Sequence, residues 1–455
     1  MPRVLVIGLD ACPPRLLFEA FRGHLPHLAA LVSRGMSGPM ESTEPPITVP
    51  AWTSMVTGVD PGALGVYGFH DRADRSYDRR RLASSLHVHV PPIWTILSRA
   101  GVTCRIIGVP QTFPPKPLRG ALVSGPPLPP APATLTYPPD IAAEVDTLSG
   151  GYVADVPELR SADRRCLYES ILTMTERRFR LATAWAEQAD WQFMMLVEMG
   201  PDRAQHAFWS ESQLTPAAIA GTEPNPLRDY YEALDRHIGE LLERLDPDDV
   251  VLIVSDHGAQ ELRGSFSIND WLIRAGFLVL RELPSQATRF DPAAVDWSRT
   301  RAWADGGYAG RIYFNVAGRE PAGIVPAEEV PALVREIRTG LEALALPGGA
   351  RIPAQVLQSA EPYSSLEGVP PDLLLYVDDL AYRVLGKVGH KDIFVAENDT
   401  GPDGANHARA GVLILADGRG ARSAPNDLSL YDVAPTVLDR FGLTPPGHMR
   451  GRVLR

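Results

Sequence analysis

Short apolar runs alternate with amphipathic segments along most of the chain. The runs have the length and the branched residues typical of buried parallel strands, and they span residues 4–9, 104–109, 192–197, 250–254, 373–377 and 411–415. Between them, apolar residues recur every three or four positions, which predicts helices over residues 26–34, 92–100, 163–188 and 229–245. The alternation predicts an α/β fold, with a mostly parallel central sheet between layers of helices.

Two stretches interrupt this rhythm within what we predict to be a single domain over residues 1–455. The first begins with a proline-rich run, and we predict a lid over residues 126–160 because proline breaks regular elements. The second combines a strand-like piece at 310–316 with a helix near 327–343. We predict that residues 264–398 form an insertion or cap.

Composition narrows the class of protein. The formal net charge of -11 disfavours binding of a nucleic-acid polymer, whereas a small anionic substrate held by a local metal charge stays possible. No apolar run approaches the roughly 18 to 20 residues of a membrane span, and no secretory signal precedes the first strand. The three cysteines are widely separated, which favours reduced thiols in the cytoplasm over a disulfide framework. We therefore predict a cytoplasmic protein without a membrane partner; no pattern indicates an oligomeric state.

Acidic residues and a histidine follow two of the predicted strands. Asp10 ends the first apolar run, and Asp256 and His257 end the run at 250–254, where open α/β sheets bind their ligands. Gly258 then lets the chain turn sharply. Asp10 alone is equally compatible with a turn cap, but two polar ligands directly after a buried strand favour a functional site over a pair of turn residues.

Four further residues offer oxygen or nitrogen atoms that could belong to the same site. Asp202 and His206 are four residues apart, so a helix would project both from one face, although such a pair alone is more often a solvated surface. His407 lies in a loop before the last strand. Thr48 stands where a polar turn enters a helix, a position that suits either an N-cap or a nucleophile facing an anion.

In this order, the candidate residues resemble the alkaline phosphatase superfamily, in particular its type I phosphodiesterase and nucleotide pyrophosphatase branch. The positions of Pro50, Thr57, Gly58, Pro61 and Gly65 after Thr48 also match that branch, and the similarity extends to residues 432–438. The resemblance implies a two-metal phosphohydrolase that attacks a small phosphate ester and forms a phosphothreonine at Thr48. It implies two divalent ions, zinc or alternatively manganese, and the ligands would be Asp202, His206 and His407 for one ion and Asp10, Asp256, His257 and Thr48 for the other.

At and after Thr48, the chain differs from two classes of enzyme in that superfamily. Phe69 stands where nucleotide pyrophosphatases carry an asparagine that contacts a phosphoryl oxygen, so either His70 or Tyr67 supplies that contact or Phe69 forms a wall of the leaving-group pocket. Thr48 and Trp52 stand where sulfatases carry the cysteine that becomes formylglycine and an arginine. Threonine cannot form the required gem-diol, which disfavours a sulfatase.

Charge favours a diester over a monoester substrate. Two divalent ions against three carboxylates and one alkoxide leave a nearly neutral site, whereas a monoester dianion calls for an added arginine clamp. Arg72 could be such a clamp or a surface charge, and for Arg203 we favour a surface charge. A phosphomonoesterase or a phosphomutase is the alternative; a non-catalytic binding protein is disfavoured because every ligand is present. Polar residues of the second insertion could line a pocket above the metals, namely Tyr308, Arg311, Asn315 and Arg319.

Overall fold

The computed structural model describes residues 3–130, 134–212, 214–396, 398 and 401–455. Its strands are β1 Val4–Leu9, β2 Met36–Glu41, β3 His70–Arg72, β4 Arg80–Leu82, β5 Cys104–Ile107, β6 Gly120–Val123, β7 Thr136–Tyr137, β8 Phe193–Glu198, β9 Val250–Val254, β10 Gly258–Glu261, β11 Gly264–Ser267, β12 Ala302–Asp305, β13 Gly310–Phe314, β14 Ala354–Gln358, β15 Leu373–Val377, β16 Tyr382–Leu385, β17 Phe394–Val395, β18 Ala405–Ala408, β19 Ala410–Ala416 and β20 Arg422–Ser423. Its α-helices are α1 Pro26–Arg34, α2 Thr48–Thr57, α3 Pro61–Leu64, α4 Ile93–Arg99, α5 Ala142–Ser149, α6 Arg164–Ala186, α7 Gly200–Phe208, α8 Pro216–Ile219, α9 Pro226–Leu242, α10 Ile268–Arg274, α11 Val330–Glu342 and α12 Val433–Arg440. Shorter helical segments are the π-helix Arg15–Ala20 and the 3-10 turns Arg22–His24, Ser85–His87, Pro139–Ile141, Pro292–Ala294, Ala327–Glu329 and Leu430–Asp432.

A nine-stranded sheet forms the centre of the molecule, in the order β20-β2-β19-β9-β1-β8-β5-β6-β7. Strands β9, β1, β8, β5 and β6 are parallel to one another, which confirms the predicted α/β fold with a mostly parallel sheet. Every residue of β1, β8 and β9 is buried, as expected for strands covered on both faces by helices. One apolar core joins this sheet to the helices around it, which include α6, α9 and α12.

The direction of the last long strand differs from the prediction. The run at 411–415 was expected to be parallel, but β19 is antiparallel to both β9 and β2. The reason is its connection: β19 follows β18 after the single residue Arg409, so it starts at the carboxyl edge of the parallel strands and runs back across the sheet.

A seven-stranded second sheet, in the order β12-β13-β15-β16-β11-β17 with β14 beside β15, has its own apolar core with α10 and α11. The run at 373–377 belongs here as β15 and is antiparallel to its neighbours, so its assignment to the parallel sheet was wrong. An apolar run in the sequence indicates that a strand is buried, but it does not indicate which sheet the strand joins. These strands lie within the predicted insertion at 264–398, of which residue 397 is outside the described residues; its role as a cap stays a prediction.

The proline-rich segment adds to the opposite edge of the central sheet. Within residues 126–160, β7 pairs antiparallel with β6, and α5 packs against α6. Residues 131–133 lie outside the described residues, and the role of the segment as a lid stays a prediction. In the part of the chain that the structure covers, no helix combines the length and the apolar character needed to cross a membrane.

Candidate metal centre and nucleophile

Asp10, Asp256 and His257 meet because β1 and β9 are parallel neighbours. Gly8 is paired with Val254, so the residues that follow each strand emerge side by side at the carboxyl edge. Ala11 has a positive φ of 58°, and this turn directs its N–H to Asp256 Oδ1 at 3.1 Å. The ring nitrogen Nε2 of His257 lies 3.1 Å from Asp256 Oδ2. The parallel register therefore builds this group without any contribution from a distant loop.

Gly258, which follows this group, does not make the sharp turn that its sequence position predicts. It is the first residue of β10, and its φ is not among the positive values of the chain. A Cβ at this position would lie 2.2 Å from the backbone oxygen of Ala410. Glycine is thus required here for the close approach of two strands rather than for a turn.

Asp202 and His206 occupy α7, which starts directly after β8 on the other side of β1. They are one helical turn apart, as predicted, and His206 Nε2 lies 3.2 Å from Asp202 Oδ1. His407 reaches the same point from β18, where it is paired with Ala259 of β10, and its Nε2 lies 3.7 Å from Asp202 Oδ1. A helix and a β-ribbon thus supply the second group.

The two groups are neighbours, and Thr48 lies beside them. Within each group the candidate ligand atoms all lie within 4.8 Å of one another, and every residue is buried. The rings of His257 and His407, one from each group, stack with their centroids 3.7 Å apart. Thr48 is the first residue of α2, and its Oγ1 lies 3.3 Å from His257 Nε2. The structure therefore brings together Thr48 and all six predicted carboxylate and imidazole ligands.

Each of the three imidazoles is oriented by an acceptor at Nδ1. His257 Nδ1 lies 2.9 Å from the Gly258 carbonyl, His407 Nδ1 lies 2.8 Å from the Pro46 carbonyl, and His206 Nδ1 lies 2.7 Å from Asp403 Oδ1. Carbonyl and carboxylate oxygens only accept hydrogen bonds, so each Nδ1 carries a proton, and in the neutral ring Nε2 then presents a lone pair. This tautomer is the one that a metal-binding histidine requires.

In each of the three carboxylates, one oxygen accepts a hydrogen bond and the other has no hydrogen-bond partner. Trp52 Nε1 donates to Asp10 Oδ2 at 2.7 Å, the Ala11 N–H donates to Asp256 Oδ1, and Arg203 donates to Asp202 Oδ2. Among the described residues, the buried atoms without a hydrogen-bond partner include Asp10 Oδ1, Asp202 Oδ1, Asp256 Oδ2 and His407 Nε2. Buried polar atoms without partners are rare, and these converge on one pocket with the oxygen and nitrogen donors that zinc or manganese prefers.

The electrostatics of the pocket also suit cations. Burial raises the pKa of Asp10 well above its ordinary value, and the nearby charges of Asp256 and Asp202 raise it further. Burial alone would lower the pKa of His206 and His257, but the carboxylates raise both, the second to about 9. The cluster of carboxylates therefore favours cations. Protons compensate its negative charge when no metal is bound, and divalent ions would compensate it more fully.

Two arginines considered as substrate clamps have structural roles instead. Arg203 is not the surface charge that the sequence favours: its side chain is 13% exposed and pairs with both Asp202 and Asp155. The Arg72 side chain is fully buried, lies over the rings of Trp303 and Tyr313, and pairs with Glu320 at 3.5 Å. Neither is a solvated surface charge.

Of the polar residues predicted to line a pocket from the second insertion, only Tyr308 reaches the candidate site. Its ring stacks on His407 with centroids 3.5 Å apart, and its hydroxyl lies 3.5 Å from His206 Nε2. The others were wrongly placed in the pocket. They hold the second sheet to itself and to β3: Arg311 pairs with Asp71 of β3, Asn315 donates to backbone carbonyls, and Arg319 pairs with Asp372.

Phe69 is half-buried and packs against a small apolar cluster that includes Val49, the residue after Thr48. This places an aromatic ring near the start of α2. His70 is exposed, and its backbone carbonyl accepts from Arg311 at 2.8 Å. Tyr67 is buried, and its hydroxyl donates to the Glu367 carbonyl at 2.8 Å. This hydrogen bond engages the hydroxyl that was considered as a contact to the substrate.

Sequence reasoning missed the residues that hold the ligands. Asp403 accepts from His206 Nδ1, and it stands only four positions before His407 in the sequence. Trp52 was weighed only as a replacement for arginine, yet it donates to Asp10. An acidic residue close in sequence to a candidate histidine was the one available signal for Asp403.

Comparisons with known proteins agree with this arrangement. The family model for type I phosphodiesterase / nucleotide pyrophosphatase matches residues 4–407. Among solved structures, the chain is similar to phosphonoacetate hydrolase from Sinorhizobium meliloti 1021 in complex with phosphonoformate, at 17% identity and a TM-score of 0.60, covering 95% of this chain and 94% of that one. No curated protein matches the chain significantly. With most of its length matched by the family model and its fold shared with that hydrolase, the chain belongs to the type I phosphodiesterase and nucleotide pyrophosphatase family of the alkaline phosphatase superfamily, whose members are metal-dependent hydrolases of phosphoric esters.

Proposed function

We propose that the protein hydrolyses a small phosphodiester through a covalent phosphothreonine at Thr48, with two divalent ions. Asp202, His206 and His407 would hold one ion, and Asp10, Asp256, His257 and the Thr48 oxygen would hold the other. Zinc is the ion that we propose, with manganese as the alternative. The observation that carries the proposal is the convergence of buried ligand atoms from two neighbouring groups, several of them without a hydrogen-bond partner, beside the Thr48 hydroxyl.

The ions would lower the pKa of the nucleophile and offset charge on the attacking and leaving oxygens. The chain supplies position: Thr48 opens α2, so the positive end of the helix dipole and its first N–H groups favour a phosphoryl anion. Thr48 Oγ1 attacks phosphorus, the bond from phosphorus to the leaving oxygen breaks, and the hydroxyl proton ends on the leaving alcohol. Water then attacks the phosphothreonine, which restores the Thr48 hydroxyl and releases a phosphomonoester.

Charge supports a diester as the substrate. Two divalent ions against three carboxylates and an ionised Thr48 leave the site near neutral, which suits a monoanion better than a dianion. The arginines nearest in sequence to the motifs add no positive charge, because Arg203 is held by Asp202 and Asp155 and Arg72 is held by Glu320. Phe69 would form an apolar wall near Thr48, and Tyr308 would cover the pocket from the second sheet.

A phosphomonoesterase or a phosphomutase is the alternative function. It would require a further cation at the site to offset the second negative charge of a monoester dianion.

Initial rates on bis-p-nitrophenyl phosphate and p-nitrophenyl phosphate test the proposal, using protein stripped of metal and reloaded with zinc or manganese. We expect metal-dependent turnover with a strong preference for the diester; a preference for the monoester would favour the alternative function. Thr48→Ala should abolish turnover and keep both ions, and acid-quenched wild-type enzyme should carry phosphate on Thr48. Turnover retained by Thr48→Ala would refute the nucleophile.

A further inference from the structure

An irregular segment at residues 152–160 lies against one of the two ligand groups. We call it the strap. It contains no helix or strand, follows α5 and Gly151, and forms the last part of the predicted lid at residues 126–160. Two of its charged side chains, Asp155 and Arg160, point to different ligands of the group formed by Asp202, His206 and His407. Each does so through one intermediate residue.

The first connection runs from Asp155 through Arg203 to Asp202. Arg203 donates from Nε and Nη2 to the two oxygens of Asp155, at 2.8 and 2.7 Å, and from Nη1 to Asp202 Oδ2. Such a two-pronged pairing fixes the plane of the guanidinium. The plane in turn fixes the rotation of the Asp202 carboxylate, so that Oδ1 faces His206 and His407.

The second connection runs from Arg160 through Asp403 to His206. Arg160 Nη2 donates to Asp403 Oδ2 at 2.6 Å, and Asp403 Oδ1 accepts from His206 Nδ1 at 2.7 Å. The Asp403 side chain is 0% exposed, so its charge depends on these partners. A carboxylate on Nδ1 fixes the ring and makes Nε2 a stronger ligand than a carbonyl does.

The other ligand group has no link of this kind in the described part of the chain. Its partners are Trp52 on Asp10, the Ala11 N–H on Asp256 and the Gly258 carbonyl on His257. All of these belong to α2 or to the segments that leave β1 and β9. The two groups therefore differ in what positions them: one depends on the strap and the other on the central sheet.

We propose that Arg203 and Asp403 are positioning residues for the ion at Asp202, His206 and His407, and that the strap sets the affinity of this ion alone. The inference rests on the proposed two-metal function. Losing an outer partner of a metal ligand weakens binding by about 10- to 100-fold. Asp403→Asn and Arg160→Met should each show this loss at one ion and leave the other ion unchanged.

The test measures zinc retained per chain after dialysis of the full-length, zinc-loaded protein against a graded series of a chelator. Wild type should keep both ions at a chelator concentration where Arg160→Met and Asp403→Asn each keep one. Asp249→Asn is the matched control, because Asp249 is also a buried carboxylate held by an arginine, Arg3, but at the opposite end of β1 and β9. It should keep both ions.

The outcomes separate the inference from the function on which it rests. Suppose that wild type keeps both ions, and that Arg160→Met and Asp403→Asn either keep both or lose both together. The inference is then refuted and the proposed function stands. If the zinc-loaded wild type holds fewer than two ions before any chelator is added, the two-metal proposal itself fails. Arg160 is partly exposed, with 22% of its side chain accessible, so Arg160→Met provides the folded variant if Asp403→Asn does not fold.

Discussion

Trp52→Phe tests how the ligand group of Asp10, Asp256 and His257 is held. The Trp52 side chain is fully buried, and its Nε1–H is 2.7 Å from Asp10 Oδ2. This hydrogen bond favours the ionised carboxylate and opposes the rise in the pKa of Asp10 that burial and the neighbouring carboxylates produce. Phenylalanine fills most of the same space without the donor. A divalent ion at this group would then compete with a proton on Asp10.

The expected size of the effect follows from the bond that is lost. Hydrogen bonds to charged groups contribute about 1.5–3 kcal/mol, which corresponds to roughly 10- to 100-fold in affinity. We expect this loss at the ion held by Asp10, Asp256 and His257, and little change at the other ion. The smaller ring also leaves a cavity, which lowers the free energy of unfolding by roughly 1–3 kcal/mol.

Competition with a chromophoric zinc chelator measures both affinities, and thermal unfolding in excess chelator measures the stability of the metal-free protein. Trp185→Phe is the control, because Trp185 is 1% exposed in the same core but lies on α6 away from both groups. It should lose stability and keep both zinc affinities. Equal zinc affinities in the two variants would refute the role of the Trp52 hydrogen bond.

Three other predictions concern single positions. Burial raises the pKa of Asp71 from 3.8 to about 6, so the folded protein holds this proton more tightly than the unfolded chain and the free energy of unfolding falls as pH rises through this interval. Relative to wild type, Asp71→Asn should therefore gain about 2 kcal/mol between about pH 4 and pH 7 in urea unfolding, and a pH-independent difference would contradict the shift. Tyr308→Ala should lower kcat/KM by about 10-fold through loss of stacking on His407, while Tyr308→Phe keeps the rate; equal losses would assign the effect to the hydroxyl. Gly258→Ala should fail to give folded protein, because its Cβ would lie 2.2 Å from a backbone oxygen, whereas Gly447→Ala, which meets nothing within 4 Å, should fold; a circular dichroism spectrum like wild type for both would contradict this.

Much of the candidate site could be predicted because its ligands follow local rules. Asp10 and Asp256 come directly after buried runs, and a parallel sheet brings the ends of neighbouring strands to one edge. Asp202 and His206 share a helix face because they are four residues apart. These relations hold within a few residues of the chain, so the sequence alone contains them.

The residues that orient those ligands could not be found in the same way. Arg203 was interpreted as a surface charge and Arg72 as a possible clamp, yet both are held by partners that come from distant parts of the chain. The sequence also assigned residues 373–377 to the central sheet. Burial of an apolar run is visible in its composition, but the sheet that buries it depends on the path of the chain between elements.

The sequence by itself determined the α/β class and indicated most of the candidate ligand residues, because both depend on residue type and on spacing along one strand or helix. Only the tertiary structure decided the direction of β19, the acceptor at each imidazole Nδ1 and the connection of Asp155 and Arg160 to one ligand group. Such contacts join residues far apart in the chain. Their formation depends on how the elements pack, and an arginine that binds a buried carboxylate has the same local sequence signal as one that faces water.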